Sequence, residues 1–283
     1  MQSTIFSLNR PFILASGSPR RRELLSWLGF DFTVMTAESE SKPAAAELPL
    51  AYAVRAASEK ACEVLQKAAR MQSGAGSSLR SGTADTGSSV SDGTKAGNQP
   101  GALPQTPVAS GPMVSGPMAQ APVVLGSDTI VVLDGTIYGK PETHAQAHAT
   151  LQKLAGNTHE VITACCLLLP VDSAKSGSMT IGGTTIPLPF MEELDCPEAF
   201  APRGSYRMLR FAQISRVSMW QCPDDVLRAY ADSEEPMDKA GAYAVQGNGG
   251  FLIRAIEGSW SSVVGLPVAE LTEILLAREV IHA

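Results

Sequence analysis

The stretch FILASGSPRRRELL, residues 12–25, decides the fold of this chain. Its first four residues are apolar and predict a short buried strand, which leads through a turn of small residues into a helix. Ser18 is a typical helix N-cap, and Pro19 suits the first helical position, where a missing N–H costs nothing. We expect the helix to stop at Gly29. A strand that leads directly into a helix is typical of an α/β protein.

The beginning of this helix also predicts a phosphate site. The N–H groups of a first helical turn have no partner within the helix, and the helix dipole adds partial positive charge there. Ser16 and Ser18 add hydroxyl donors, while Arg20 and Arg21 add planar cations with several donors each. The same residues fit an ordinary capped helix with a solvated basic face, so this motif alone leaves both interpretations open.

Strand-like and helix-like segments continue to alternate along the chain. This alternation predicts a single α/β domain over residues 8–283. We expect strands at residues 32–35, 123–133, 159–169, 208–218 and 250–256, and helices at 50–69, 143–154, 223–232 and 266–277.

Two segments interrupt the alternation. Gly, Ser, Ala and Pro make up 30 of the 51 residues in 71–121, which contain no aromatic side chain. We expect a disordered insertion, because such a segment buries too little apolar surface to offset its ordering entropy. Residues 170–206 are a second, irregular insertion. It contains TIGGTTI, a pattern typical of a small hairpin that turns at Gly182 and Gly183.

Charge and composition exclude several classes of protein. The net charge is −6, with 22 basic and 28 acidic residues, so a general nucleic-acid-binding surface is not expected. No apolar run approaches the roughly 18 residues that cross a bilayer, and the N-terminus lacks the pattern of a secretory signal. The five cysteines are scattered without a CxxC pair, which favours free thiols in a reducing compartment and a cytoplasmic protein.

Asp128 is the most informative acidic residue, because it interrupts the apolar strand VVLGSDTIVVL at 123–133. A carboxylate in a buried strand is costly unless it is paired, binds a metal or faces a cleft. Aspartate is also disfavoured in strands. The alternative is a structural carboxylate that is hydrogen-bonded to a neighbouring loop.

Two loops add polar groups to this picture. In YGKP, Lys140 precedes a proline and is therefore biased to an extended conformation. It can neutralise a phosphate, although a surface lysine in a turn is the simpler interpretation. In KAGAYAVQGNGG, Tyr243 and Gln246 offer a ring and an amide to a base or ribose, among glycines that allow close approach. GNGG is equally typical of a hairpin turn.

Five motifs together resemble a known family. SGSPRRRELL, GSDTIVVLDGTIYGKP, NTHEVITA, EPMDKAGAYAVQG and VVGLP occur in the order seen in Maf-family nucleoside triphosphate pyrophosphatases. The resemblance covers the chain outside the two insertions. It implies a mixed twisted sheet flanked by helices, with a central cleft similar to that of inosine triphosphate pyrophosphatases. It also implies hydrolysis of a nucleoside triphosphate to the monophosphate and pyrophosphate, with Mg²⁺ or Mn²⁺.

The resemblance also implies roles for individual residues. Asp128 matches the catalytic acid–base position, which activates water or holds the metal. Gln246 lies in the segment that contacts base and phosphate. The phosphates are bound by a group of hydroxyls and cations, namely Ser16, Arg20, Arg21, Lys60 and Lys140.

The family has a further acidic residue after its second strand, which implies a second metal ligand beside Asp128. In the run AESESK we assign this position to Glu40. Spacing counted without gaps from Phe32 places Ser41 there instead, and Glu38 is a further candidate.

The motifs also indicate a branch of the family. SPRR, SDT and VQG resemble the branch that hydrolyses dTTP and UTP, whereas the 7-methyl-GTP branch tends to show SPWR, DQ and SEG. Arg20, Arg21, Thr129 and Gln246 carry this distinction. A pyrophosphatase for 7-methyl-GTP or other modified nucleotides is one alternative, and a non-catalytic nucleotide-binding regulator of cell division is another. Family members are often dimers, which implies a homodimer here.

Overall fold

The predicted strand and helix of residues 12–25 are both present in the computed structural model, which describes residues 5–38, 41–75, 120–171, 180–181, 184–185, 188–202 and 204–283. The strands are β1 Ser7–Leu8, β2 Phe12–Ala15, β3 Thr33–Val34, β4 Val123–Leu133, β5 Thr136–Tyr138, β6 Thr158–Pro170, β7 Thr180–Ile181, β8 Thr184–Thr185, β9 Phe190–Asp195, β10 Tyr206–Met219, β11 Ile253–Glu257 and β12 Ile281–His282. The helices are α1 Pro19–Ser26, α2 Pro49–Ala75, α3 His144–Leu154, α4 Asp224–Ala231, α5 Trp260–Val264 and α6 Val268–Ala277.

An eight-stranded mixed sheet forms the centre of the fold. Its path runs β11-β10-β6-β4-β2-β3, with β5 paired to β4 and β9 paired to β10. β2 runs parallel to β3 and β4, whereas the long strands β4, β6 and β10 pair antiparallel. β1 and β12 pair with each other and bring the two ends of the described chain together. The predicted α/β class with a mixed sheet is therefore confirmed.

The sheet opens halfway along β4. β6 pairs with β4 from Val124 to Val132 along one edge. On the other edge β2 ends with Ala15 opposite Gly126, and β5 begins to pair only at Val131. Among the described strands, residues 127–130 of β4 therefore have no neighbour on that edge. Asp128 lies in this opening.

α2 covers one face of the sheet and approaches β4 most closely at Gly126. A Cβ atom at Gly126 would lie 2.3 Å from the carbonyl oxygen of Ala57 and 2.9 Å from the Cβ of Ala61. Only glycine allows this approach. Side chains alternate along a strand, so the even-numbered residues of β4 share one face. Ile130 belongs to the cluster that packs against α2, and Asp128 therefore also faces α2.

The other face of the sheet packs against α1 and α6. Its buried cluster joins Leu14, Leu24, Leu125, Leu266 and Leu271, all at most 1% exposed. A third cluster lies near the far ends of the long strands, where α3 and α4 pack against β6 and β10. The opening at residues 127–130 therefore lies in a sheet that is covered on both faces.

The structure corrects the predicted boundaries of both insertions. The helix predicted at 50–69 continues to Ala75, so a disordered insertion beginning at residue 71 is wrong for its first residues. The remainder, residues 76–119, lies outside the described residues. The good helix formers of this segment end without a clear stop signal, and for this reason the helix predicted from the sequence is shorter than the observed helix.

The second insertion is also more ordered than predicted. β6 extends to Pro170, and β9 pairs with β10. The acidic residues that suggested a loop are satisfied in the sheet, since Glu192 pairs with Arg210 and Glu193 with Arg207 on the neighbouring strand. β7 and β8 pair antiparallel as the hairpin prediction requires, while its turn at residues 182–183 lies outside the described residues.

All five cysteines are buried free thiols, as the sequence predicts. Burial raises the pKa of Cys165 and of Cys166 to about 12, so both thiols stay protonated and belong to the core. In the part of the chain that the structure describes, no helix combines the length and apolarity needed to cross a membrane.

Candidate active site

A cleft of about 710 Å³ occupies the opening in the sheet beside β4. Its walls come from the turn after β2, the start of α1, the middle of α2, β4 and the segment before β11. The predicted residues that line it are Ser16, Ser18, Arg20, Arg21, Lys60, Asp128, Thr129, Lys140 and Gln246. Glu40 lies outside the described residues. The other predicted site residues, distant in sequence, thus meet in one place.

Asp128 projects from β4 toward α2 and forms an ion pair with Lys60. The two side chains are only 14% and 19% exposed, so each charge removes much of the other's desolvation cost. The alternative of a carboxylate held by a neighbouring loop is wrong, because its partner is a lysine on a helix. Lys60 was predicted to bind phosphate, and in this structure its ammonium also holds the carboxylate.

Ser18 caps α1 as predicted. Its hydroxyl accepts a hydrogen bond from the N–H of Arg21 at 3.4 Å, and Pro19 occupies the first turn. The hydroxyl of Ser16 accepts from the N–H of Ser18 at 3.3 Å, which closes the turn between β2 and the helix. The capped helix is therefore confirmed, and its first turn lies at the edge of the cleft.

Arg21 is half-buried and braces the cleft wall. Its guanidinium donates to the carbonyl of Gly265 at 2.9 Å, to the hydroxyl of Ser16 at 3.2 Å and to that of Thr129 at 3.0 Å. Burial lowers the pKa of Arg21 and the charge of Asp128 opposes this effect, so the side chain remains a cation. Arg21 therefore joins α1, β4 and the turn before α6, in addition to facing the cleft.

A further cation, Lys239, was missed from the sequence. Its side chain is 13% exposed, lines the cleft and pairs with Asp238. Asp238 also lies 3.5 Å from a guanidinium nitrogen of Arg20. The DKAG run contains adjacent opposite charges, which read as an ordinary surface pair, and only the fold reveals that this pair faces Arg20.

The carboxylates in the cleft fit a metal ion whose other ligands are oxygens of a bound phosphate. Asp128 and Glu38 both line the cleft, and Glu38 is paired with Lys67 at 2.9 Å. No group of three or more potential metal-ligating side chains occurs among the described residues. Mg²⁺ is usually bound through one or two carboxylates together with substrate phosphates, so this donor set suits it. Ser41, the ungapped alternative, donates its hydroxyl to Glu59 instead.

Gln246 lines the same cleft as Tyr243, which belongs to a buried aromatic pair with His159. Tyr243 is 5% exposed and its hydroxyl lies 2.7 Å from Nε2 of His159. Burial lowers the pKa of His159 to about 4, so the ring is neutral at physiological pH. One cleft thus combines an amide, an aromatic ring and several cations, a set of groups suited to a nucleotide.

The fold and the site define an α/β protein with a cation-rich cleft around the half-buried carboxylate of Asp128. The sequence profile of the Maf-like protein family matches residues 11–187 and 197–278. The chain belongs to this family, as its motifs predict. It is 35% identical over 278 residues to the dTTP/UTP pyrophosphatase of Nitratidesulfovibrio vulgaris (strain Hildenborough), which covers 98% of this chain and 92% of that protein.

Two further relatives carry the same name. The dTTP/UTP pyrophosphatase of Oleidesulfovibrio alaskensis is 34% identical over 277 residues, 98% of this chain and 89% of that protein. The dTTP/UTP pyrophosphatase of Shewanella sp. (strain MR-7) is 34% identical over 268 residues, 93% and 95% of the two chains. The branch predicted from SPRR, SDT and VQG is the branch to which these names belong.

Proposed function

We propose that this protein hydrolyses dTTP and UTP to the nucleoside monophosphate and pyrophosphate, and thereby controls the nucleotide pool. The main support is a single cleft in which the half-buried carboxylate of Asp128 meets a group of cations, namely Arg20, Lys60, Lys140 and Lys239. The names of the relatives support both the reaction and its substrates.

Electrostatics accounts for most of the catalysis in this proposal. The triphosphate repels an attacking oxygen, and cations placed before the substrate arrives stabilise the charge that develops in the transition state. Asp128 accepts a proton from the water that attacks the α-phosphorus. The bond from that phosphorus to the bridging oxygen breaks, and pyrophosphate leaves with the electron pair. Lys60 holds Asp128 in the orientation that this proton transfer requires.

A divalent metal, Mg²⁺ or Mn²⁺, belongs to the same proposal. Asp128 and a carboxylate from residues 38–40 would hold it. When bound, the ion stabilises negative charge on the phosphate oxygens. Glu38→Gln and Glu40→Gln, each titrated with Mg²⁺ at saturating nucleotide, identify the second ligand as the residue whose loss raises the half-saturating Mg²⁺ concentration. If neither variant changes that concentration, the second carboxylate is wrong.

Gln246 provides recognition of the base in this proposal. Its amide has one donor group and one acceptor oxygen, which match a carbonyl and the N3–H on the edge of uracil or thymine. Tyr243 forms the adjoining wall. The homodimer implied by the resemblance remains a prediction, and sedimentation equilibrium of the purified protein measures it.

One assay tests the function directly. Pyrophosphate and monophosphate are measured with dTTP, UTP, CTP, GTP and 7-methyl-GTP in the presence of Mg²⁺. We expect equal amounts of the two products and the highest kcat/KM with dTTP and UTP. A preference for 7-methyl-GTP would assign the chain to the other branch. Absence of hydrolysis with all five, together with measurable binding, would favour the non-catalytic regulator.

A further inference from the structure

The loop that carries Gln246 is held by side chains from outside the cleft. On its N-terminal side, the hydroxyl of Tyr230 accepts a hydrogen bond from the N–H of Ala244 at 3.3 Å. The same hydroxyl donates to the carboxylate of Glu235 at 2.7 Å. Tyr230 is on α4 and 6% exposed, so this connection is anchored in the third hydrophobic cluster.

On the C-terminal side of Gln246, the loop is held by the carboxylate of Glu235. One oxygen accepts from the N–H of Asn248 at 3.0 Å, and the other accepts from the N–H of Gly249 at 2.8 Å. Burial alone would raise the pKa of Glu235, but the hydrogen bonds from Tyr230 and these two N–H groups outweigh burial and lower it. Glu235 is therefore a carboxylate with defined partners on both oxygens.

The close approach of Tyr230 and Glu235 leaves no room for a side chain at Gly247 or Gly249. A Cβ atom at Gly247 would lie 2.2 Å from a carboxylate oxygen of Glu235. A Cβ atom at Gly249 would lie 2.3 Å from the hydroxyl oxygen of Tyr230. The loop is thus built around Tyr230 and Glu235, and the GNGG run reflects this close approach.

We propose that Tyr230 and Glu235 form a clamp that sets base selectivity by fixing the backbone on both sides of Gln246. Both are positioning residues, since in the described part of the chain they do not belong to the cleft lining. The inference rests on the proposed function. A glycine-rich loop without these bonds has many accessible conformations, and a displaced amide no longer matches the edge of the base.

The clamp acts on one end of the substrate only. Arg20 and Lys60, which bind the phosphates in the proposed function, are on α1 and α2 and not on the Gln246 loop. Loss of the clamp should therefore change KM and the choice of base more than kcat. A general structural defect would instead lower turnover of every nucleotide by a similar factor.

Two variants and one matched control test the clamp. Glu235→Gln places an amide NH₂ against a backbone N–H in either orientation, and Tyr230→Phe removes the hydroxyl alone. Glu234→Gln removes the same charge from the exposed neighbouring residue. In the two clamp variants, we expect the ratio of kcat/KM for UTP to that for CTP, whose base presents the reverse donor and acceptor pattern, to fall about tenfold, the effect of one lost, well-placed hydrogen bond. The control should match the wild type.

A second measurement separates the clamp from the proposed function. Amide hydrogen exchange at residues 244, 248 and 249 should become faster in Glu235→Gln, whereas exchange in the core strand β6 should not change. If all nucleotides lose kcat/KM equally, or if exchange in the loop is unchanged, the clamp is wrong. If the wild type hydrolyses none of the nucleotides, the proposed function fails, and the exchange data alone decide whether the loop is clamped.

Discussion

The ammonium of Lys60 and the carboxylate of Asp128 form an ion pair across the contact between α2 and β4. The carbonyl oxygen of Ala57 on α2 is packed against Gly126 on β4. Lys60 lies one helical turn beyond Ala57, and Asp128 lies two residues beyond Gly126 on the same face of the sheet. The close approach of helix and strand therefore determines that the two charges meet. The packing of α2 against β4 therefore places this carboxylate and its cation.

Asp128→Asn should abolish most of the activity. The amide keeps the size of the side chain but loses the negative charge and the ability to accept a proton. We expect kcat with dTTP to fall by about a hundredfold or more, the usual contribution of a general base. A loss of less than about tenfold would contradict the general-base role.

The β4–β5 hairpin offers a matched control for this measurement. Asp134 is exposed in the turn and has a φ of 50°, a conformation that asparagine tolerates. Asp134→Asn makes the same chemical change six residues away from Asp128. We expect wild-type kcat and KM, and a comparable loss in this variant would show that the effect at Asp128 is not specific to the cleft.

Gly126→Ala should both destabilise the protein and disturb the ion pair. The new methyl group would lie 2.3 Å from the Ala57 carbonyl oxygen, so α2 must move away from β4. We expect the free energy of unfolding in urea to fall by about 1–3 kcal/mol, the typical cost of overpacking. Activity of the folded variant should fall as well, because Lys60 moves with the helix.

Gly139→Ala is the control for stability, since a Cβ atom there meets no other atom within 4 Å. Its free energy of unfolding should change by less than about 0.5 kcal/mol, as at most exposed positions. Equal destabilisation by the two substitutions would mean that the contact between Gly126 and α2 is not the cause.

Local signals in the sequence predict a large part of this fold and site. The N-cap at Ser18, the polar residue Asp128 in an apolar strand and the lysine in the GKP loop are each visible within a few residues. They were placed in one cleft by the order of the motifs, and the structure brings them together.

Long-range pairings were not predictable in this way. The guanidinium of Arg21 donates to Gly265, 244 residues away, and no local pattern indicates that contact. Lys239 became a site residue only when the fold placed Asp238 near Arg20. Likewise, the sequence predicts irregular chain at β9, because its carboxylates meet their arginine partners only on β10.

Arg21→Lys should test the bracing role of the guanidinium. A lysine retains the charge but cannot reach three acceptors that surround a planar fork. We expect kcat/KM for dTTP to fall about tenfold or more and the free energy of unfolding to fall by about 1–3 kcal/mol, because buried acceptors lose their donors. Arg22 is exposed on the same helix, and Arg22→Lys should change neither quantity. A fully stable Arg21→Lys protein would rule out the bracing role.

His159 should make the stability of the protein depend on pH below neutrality. Its side chain is 1% exposed, and burial lowers its pKa to about 4 in the folded state. In the unfolded chain a histidine has a pKa of about 6.5. Between these two values the unfolded state binds one more proton than the folded state, so folding becomes weaker as the pH falls.

The sign and the size of this effect are open to measurement. Above about pH 6.5 the ring is neutral in both states, so this residue does not make the free energy of unfolding depend on pH. Below about pH 6.5, its contribution should lower the free energy of unfolding by about 1.4 kcal/mol for each pH unit. His159→Gln can still form a hydrogen bond with the hydroxyl of Tyr243 but does not titrate, so its unfolding curve should lack this component. His282→Gln, at an exposed position, should retain the wild-type slope. Urea titrations from pH 7.5 to pH 5 compare the three proteins, and parallel curves for wild type and His159→Gln would show that burial does not keep the ring neutral.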